Sequence, residues 1–153
     1  MALTEKKIII TRALEQTSEA REIFQKNGAE VFDLPSLVIG PPDDWAPLDD
    51  ALKDMLTFDW IIFSSANGVR NVEDRIKEIG LSLSKISKTI QIAAVGRKTA
   101  SLLSEMDVKV SFVPPSFVAD SLVEYFPENP KGLKLFIPRV QTGGRSILSD
   151  SFQ

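Results

Sequence analysis

The sequence predicts an α/β fold: an open, mostly parallel three-layer sheet with helices on both faces. Three observations carry the prediction. Short apolar, β-branched runs alternate with amphipathic stretches of helical period along the 153-residue chain. Glycine or proline closes most of these segments. The run FDWIIF, residues 58–63, is too short and too aromatic for a helix interior and reads as a buried central strand.

Taken in order, residues 7–11 (KIIIT) make the first strand, and residues 18–27 an amphipathic helix with Ile23 and Phe24 turned inward. Gly28 stops that helix, and residues 31–34 form a strand closed by Pro35. Residues 37–47, with Pro41, Pro42, Pro47 and two aspartates, read as a linker or crossover. A helix over 49–56 leads into the strand 60–63, and a helix over 67–79 ends at Gly80. A loop with three serines follows, then a strand at 90–95, Gly96 at its end, and a helix over 98–106. Residues 110–113 are a strand ended by Pro114 and Pro115, 117–126 a helix, and 134–137 a strand. Residues 144–152 begin another helix that has a start but no stop signal. Residues 1–35 are too few to bury both faces of a βαβ unit. Both features lead us to expect the front part of a longer protein, with residues 36–153 a nearly complete domain.

Composition excludes several classes. A net charge of −3 with interspersed signs gives no field for nucleic acid. No apolar stretch approaches the roughly 20 residues of a membrane helix, and MALTEKK is not a signal peptide, so the expected compartment is cytoplasmic. With no cysteine there is no thiolate nucleophile and no zinc–sulfur site. With no histidine, the commonest general base and metal ligand are both missing. Chemistry is left to carboxylates, Lys, Arg, hydroxyls, Tyr125 and backbone amides.

The candidate binding groups cluster where strands hand over to helices. Ser64, Ser65, Asn67 and Gly68 follow the strand at 60–63, where open α/β sheets leave a crevice and helix starts offer N–H groups. Gly96, Arg97, Lys98 and Thr99 follow the strand at 90–95, Thr11 and Arg12 the first strand, and Arg139 the strand at 134–137. Four of the seven arginines, Arg12, Arg97, Arg139 and Arg145, lie at such junctions, as do Ser116 and the pair Gly143–Gly144. Guanidinium groups suit carboxylates and phosphates, so the set reads as a rim for a polyanion. The bland alternative is that arginine is ordinary in surface loops.

Single motifs say less. The GxGxxG and Walker patterns are absent, so a dinucleotide or P-loop site is not expected. Ser65 has no GxSxG elbow and no histidine to activate it, and capping the next helix is its simpler role. Tyr125, between Leu122 and Phe126, reads as a half-buried packing residue, and Asp43, Asp44, Asp49 and Asp50 as a solvated, helix-capping set rather than a metal site.

In chain order, TR near the start, LPSLVIGP, FDWIIFSSANGV, IAAVGRKTA, FVPPSFVADSL and LFIPRVQTGGR resemble the uroporphyrinogen-III synthase family over the whole chain. The resemblance implies a cofactor-free, cytoplasmic enzyme of tetrapyrrole biosynthesis with two flavodoxin-like, or HemD-like, α/β domains. It implies that residues 1–35 belong to a discontinuous domain whose remainder follows the inserted domain of residues 36–153. The implied reaction closes the linear tetrapyrrole hydroxymethylbilane with inversion of the last ring and loss of water. Carried over by motif, Thr11, Arg12, Ser64, Ser65, Asn67, Gly68, Gly96, Arg97, Thr99 and Arg139 would hold the substrate's eight carboxylates. The family's tyrosine that assists the leaving hydroxyl lies in a motif beyond residue 153, and Tyr125 does not match it. The catalytic residue is therefore unassigned, and residues 1–153 alone are expected to be inactive. An incomplete first segment also invites self-association. The alternative from the residues alone is a non-catalytic α/β module that binds a nucleotide or sugar phosphate. A receiver-like domain is disfavoured, because Thr11 and Arg12 replace its acidic cluster and Pro138 and Arg139 its lysine.

Overall fold

A computed structural model describes residues 2–13, 17–36, 38, 40–116 and 118–140 of the chain. These fall in two compact units, Met1–Pro41 and Pro42–Gln153.

The first unit is β1 (Lys7–Ile10), α1 (Ser18–Lys26) and β2 (Glu30–Asp33). The strands pair in parallel, with Ile9 opposite Phe32 and Ile10 opposite Asp33. Consecutive isoleucines suit a pleated surface, and Gly28 at φ 93° takes the left-handed turn that ends α1. Helix α1 packs on β2, burying Ile10, Ala13, Thr17 and Ala29, and Arg21 donates to the Asp33 carboxylate. On the opposite face Ile9 is 58% and Phe32 43% exposed. Ile23, expected to point inward, is exposed too, while Phe24 is half-buried. Two strands offer less surface than the apolar stripe of α1 could cover. Strand β1 also stops one residue early, because the Thr11 carbonyl accepts both the N–H and the hydroxyl of Ser36, at 3.0 and 2.9 Å.

The second unit holds α2 (Ala46–Lys53), β3 (Trp60–Phe63), α3 (Ala66–Glu78), α4 (Leu83–Ile86), β4 (Gln91–Ala94), α5 (Arg97–Glu105), α6 (Ala119–Glu124) and β5 (Leu135–Phe136). Its strands lie in the order β4-β3-β5, all parallel. The period-two pattern divides the strand residues between two cores. Ile61, Phe63, Ile92 and Ala94 pack with Leu52, Val69, Val72, Ile76, Leu83, Ile86 and Leu103 from the helices α2 to α5. Trp60, Ile62, Ala93 and Val95 pack with Leu122 of α6 on the other side. All four residues of β3 are buried, so this unit is the three-layer sheet that the sequence predicts.

Several boundaries differ from expectation. The supposed linker through Pro47 ends sooner, because Pro47 is tolerated in the first turn of α2, whose Ala46 N–H is accepted by Asp44 Oδ1 at 2.8 Å. The serine loop contains α4, since the Ser82 hydroxyl caps it and the buried Glu73 accepts the Leu83 N–H at 2.8 Å. The strand expected at 110–113 is reduced to one bridge, Ala93 to Phe112. The Ser111 hydroxyl accepts the Ile92 N–H at 3.3 Å, where a ladder carbonyl would otherwise stand. The helix expected at 117–126 is limited to α6, and Tyr125, 52% exposed, lies just past its end. Strand β5 keeps two of its four expected residues. The helix expected at 144–152 lies outside the described residues.

Candidate functional site

The site is set by where the sheet reverses its winding. From β3 the chain moves outward to β4 and the Phe112 bridge, then returns to the other side of β3 as β5. Strand β3 is the point of reversal. In open parallel sheets the carboxyl ends of the strands on either side of that point diverge and leave a crevice. Here those ends carry Ser64 to Gly68 after β3 and Pro138 and Arg139 after β5.

At the β3 end, Ser65 is extended (φ −152°, ψ 153°), and its Oγ accepts the Gly68 N–H at 3.1 Å. This caps α3 and leaves the exposed hydroxyl its own proton to donate. Ser64 is exposed beside it. Asn67 and Gly68 are half-buried in the first turn, where Arg70 donates to Asn67 Oδ1 at 3.4 Å. A side-chain carbon at position 68 would stand 4.0 Å from the Pro138 carbonyl, so the loop after β5 passes directly over the start of α3.

The β4 end is built differently. Gly96 is the N-cap of α5 and supplies no capping side chain. Its φ of −127° needs no glycine, and nothing lies within 4 Å of where its Cβ would stand. The first turn of α5 thus opens onto free space with Arg97 exposed beside it. The phenylalanine at the end of β3 pairs with Ala94, so Ser65 and Gly96 stand level across the two strands. Helix starts carry N–H groups and the positive end of the dipole, and both features favour anions.

The structure therefore brings together Ser64, Ser65, Asn67, Gly68, Gly96, Arg97 and Arg139 along one sheet edge. Thr99 is on α5 but is 4% exposed, so its hydroxyl belongs to the packing around that helix. Thr11 and Arg12 are exposed at the end of β1 in the other unit. Ser116 donates its N–H to the buried Ser121 Oγ at 3.3 Å, ahead of α6. Gly143, Gly144 and Arg145 lie outside the described residues. Sequence reasoning missed Pro138 as a neighbour of α3, which no local pattern encodes. It also missed the Asn67–Arg70 contact, which the i,i+3 spacing could have revealed.

The aspartates of residues 43–50 have other tasks. Arg75 forks onto Asp49 (Nε–Oδ1 2.6 Å, Nη2–Oδ2 2.7 Å) and lies 4.9 Å over the Trp45 ring, while Asp50 pairs with Lys53 at 2.9 Å. A concavity of about 560 Å³ lined by Ser84, Ser87, Lys88, Ser104, Asp107, Val108 and Lys109 sits at the carbonyl ends of α4 and α5. Among the described residues, no group of three or more carboxylates could hold a metal ion, and no helix is long and apolar enough to cross a membrane.

Residues 18–153 match the sequence model of a family described as Uroporphyrinogen-III synthase HemD. A uroporphyrinogen-III synthase of Synechococcus elongatus is 42% identical over 148 residues, which are 97% of this chain and 55% of that protein. A putative uroporphyrinogen-III synthase of Methanothermobacter thermautotrophicus is 26% identical over 131 residues, 85% of this chain and 50% of that one. The chain thus spans about half the length of these relatives. Crystal structures of the Thermus thermophilus uroporphyrinogen III synthase share the fold at 16% identity. The wild type has a TM-score of 0.59 and a mutant 0.69, each match covering 96% of this chain and 56% of that one.

Proposed function

Since the chain belongs to the uroporphyrinogen-III synthase family, we propose that it carries one wall of a site that binds hydroxymethylbilane for ring closure. The reaction inverts the last pyrrole ring, expels water and yields the type III isomer. The observation that carries this reading is the reversal of the sheet at β3, which sets the start of α3 against the loop after β5.

On this reading Ser64, Ser65, Asn67 and Gly68 hold acetate and propionate groups through hydroxyls, amide and helix-start N–H groups. Gly96 and Arg97 do the same one strand away, where the missing cap lets a carboxylate approach the backbone. Arg139 supplies a guanidinium suited to a bidentate carboxylate contact. Thr11 and Arg12 are proposed as anion-holding groups of their own sheet. Thr99 contributes by positioning the start of α5. The electron-rich pyrroles supply the nucleophile, so the protein's work is to hold the chain's ends together and to stabilise the cation left when hydroxide departs. No described residue is assigned to assist that departure. Tyr125 is exposed at the end of α6 that leads into the start of β5, the opposite edge of the sheet. The proposal carries the family's cytoplasmic setting with it.

Titration with uroporphyrin III, a stable octacarboxylate, followed by amide NMR tests the reading. Saturable shifts at Ser65, Asn67, Gly68, Gly96 and Arg97, weakened by Arg139→Ala, are expected. Shifts confined to other surfaces, or none, would overturn it.

A further inference from the structure

The dipeptide Asn67–Gly68 sits in the first turn of α3, and in that turn the backbone nitrogen that could attack the Asn67 side chain is engaged. The Gly68 N–H is held by Ser65 Oγ at 3.1 Å, and Asn67 Oδ1 accepts from Arg70 at 3.4 Å. An asparagine followed by glycine is the sequence context most open to spontaneous deamidation, because glycine puts no side chain in the way of its own backbone nitrogen. That nitrogen attacks Asn67 Cγ, and a C–N bond forms as the side-chain nitrogen leaves as ammonia. Water then opens the cyclic imide at either carbonyl, giving aspartate or isoaspartate. Ring closure needs the backbone nitrogen to swing onto Cγ, which the helical ψ of about −40° does not allow.

We propose that Asn67 is a latent deamidation site, kept unreactive by the Ser65 cap of α3. Conversion changes the turn in either of two ways. Aspartate places a negative charge among the groups that face the proposed ligand, beside the cationic Arg70 and at the favourable end of the helix dipole. The helix persists and the anion site is spoiled. Isoaspartate inserts an extra backbone carbon and breaks the first turn. The consequence for ligand binding rests on the proposed function; the protection of Asn67 does not.

The position tolerates the control that isolates the chemistry. A Cβ at residue 68 would meet Ser65 Oγ at 3.4 Å and the Pro138 carbonyl at 4.0 Å, both ordinary contacts. Gly68→Ala therefore fits the fold and hinders the attack.

The test ages the folded chain, the same chain in urea, Ser65→Ala and Gly68→Ala under one mildly alkaline condition. Peptide-resolved mass spectrometry reads the fraction of residue 67 converted. We expect the folded chain to convert far more slowly than the unfolded one. Loss of the cap should speed conversion about three- to tenfold, following the rise in local opening of the turn. Gly68→Ala should suppress it. Equal rates in the folded and unfolded chain, or conversion in folded Ser65→Ala no faster than in the native chain, would overturn the proposal. Uroporphyrin III binding by the aged, aspartate-bearing fraction is read separately, so failure of the ligand assignment would show as unaltered affinity beside a protected Asn67.

Discussion

The two units build the same motif, a parallel strand pair joined through a helix, and differ in what covers the sheet. In the second unit β3 is buried along its whole length, because helices lie on both faces and side chains of both parities find a core. In the first, α1 covers one face, and the register partners Ile9 and Phe32 point together from the other. Strand propensity is similar in KIII and WIIF. Coverage is what separates them, since an apolar side chain contributes to stability only when its neighbours exclude water.

The largest effect should come from matched truncations of phenylalanine in the two sheets. Phe63→Ala, at a site with no solvent exposure, is expected to cost about 3–5 kcal/mol, and Phe32→Ala about 1–2 kcal/mol. Urea unfolding with unchanged slope would measure both, and equal costs would break the comparison. Next comes the carboxylate buried between α3 and α4. Glu73→Ala leaves the Leu83 N–H without its acceptor and should cost about 1–3 kcal/mol. Hydrogen exchange of Leu83 would report the loss directly. The cap at the candidate site is smaller still. Ser65→Ala should cost roughly 1 kcal/mol and Ser64→Ala close to nothing, because only the former hydroxyl accepts the Gly68 N–H.

The smallest effect is electrostatic. The hydrogen bond from Arg75 holds the Asp49 carboxyl below its ordinary range, with the Arg75 charge adding to it against a cost of burial. A lowered folded value means the stabilisation is complete above the ordinary carboxylate value of about 3.9 and is lost as pH falls through the folded value. The stability difference between the native chain and Asp49→Asn should therefore be flat near neutrality and shrink in that acid range. A difference that instead grew on acidification would show that the Arg75 fork does not act through the ionised carboxylate.

Much of this was legible before folding was considered. FDWIIF reads better as a buried strand than as a helix, and its residues 60–63 form β3 as expected. SSANG announced a capped helix start, and Ser65 is that cap. Gly80, at φ 77°, ends the helix where the sequence placed its stop. These are local decisions, made by side-chain shape, backbone freedom and hydrogen bonds within a few residues. Where competition came from farther along the chain, the local reading failed. The Ser111 hydroxyl displaced a ladder carbonyl, and Glu73 drew a serine loop into helix α4.

What the sequence determined alone is the alternation of strands and helices and the polar groups at their junctions. Those follow from a period of two or 3.6 and from turn chemistry, which are written in neighbouring residues. Only the tertiary structure decided that β5 returns beside β3 and that Pro138 passes over Gly68. It also decided that Thr99 is buried while Arg97 and Arg139 stay exposed on the same edge. Strand order is set by which apolar faces can be covered together, a sum over contacts distant in sequence. No single segment contains that sum.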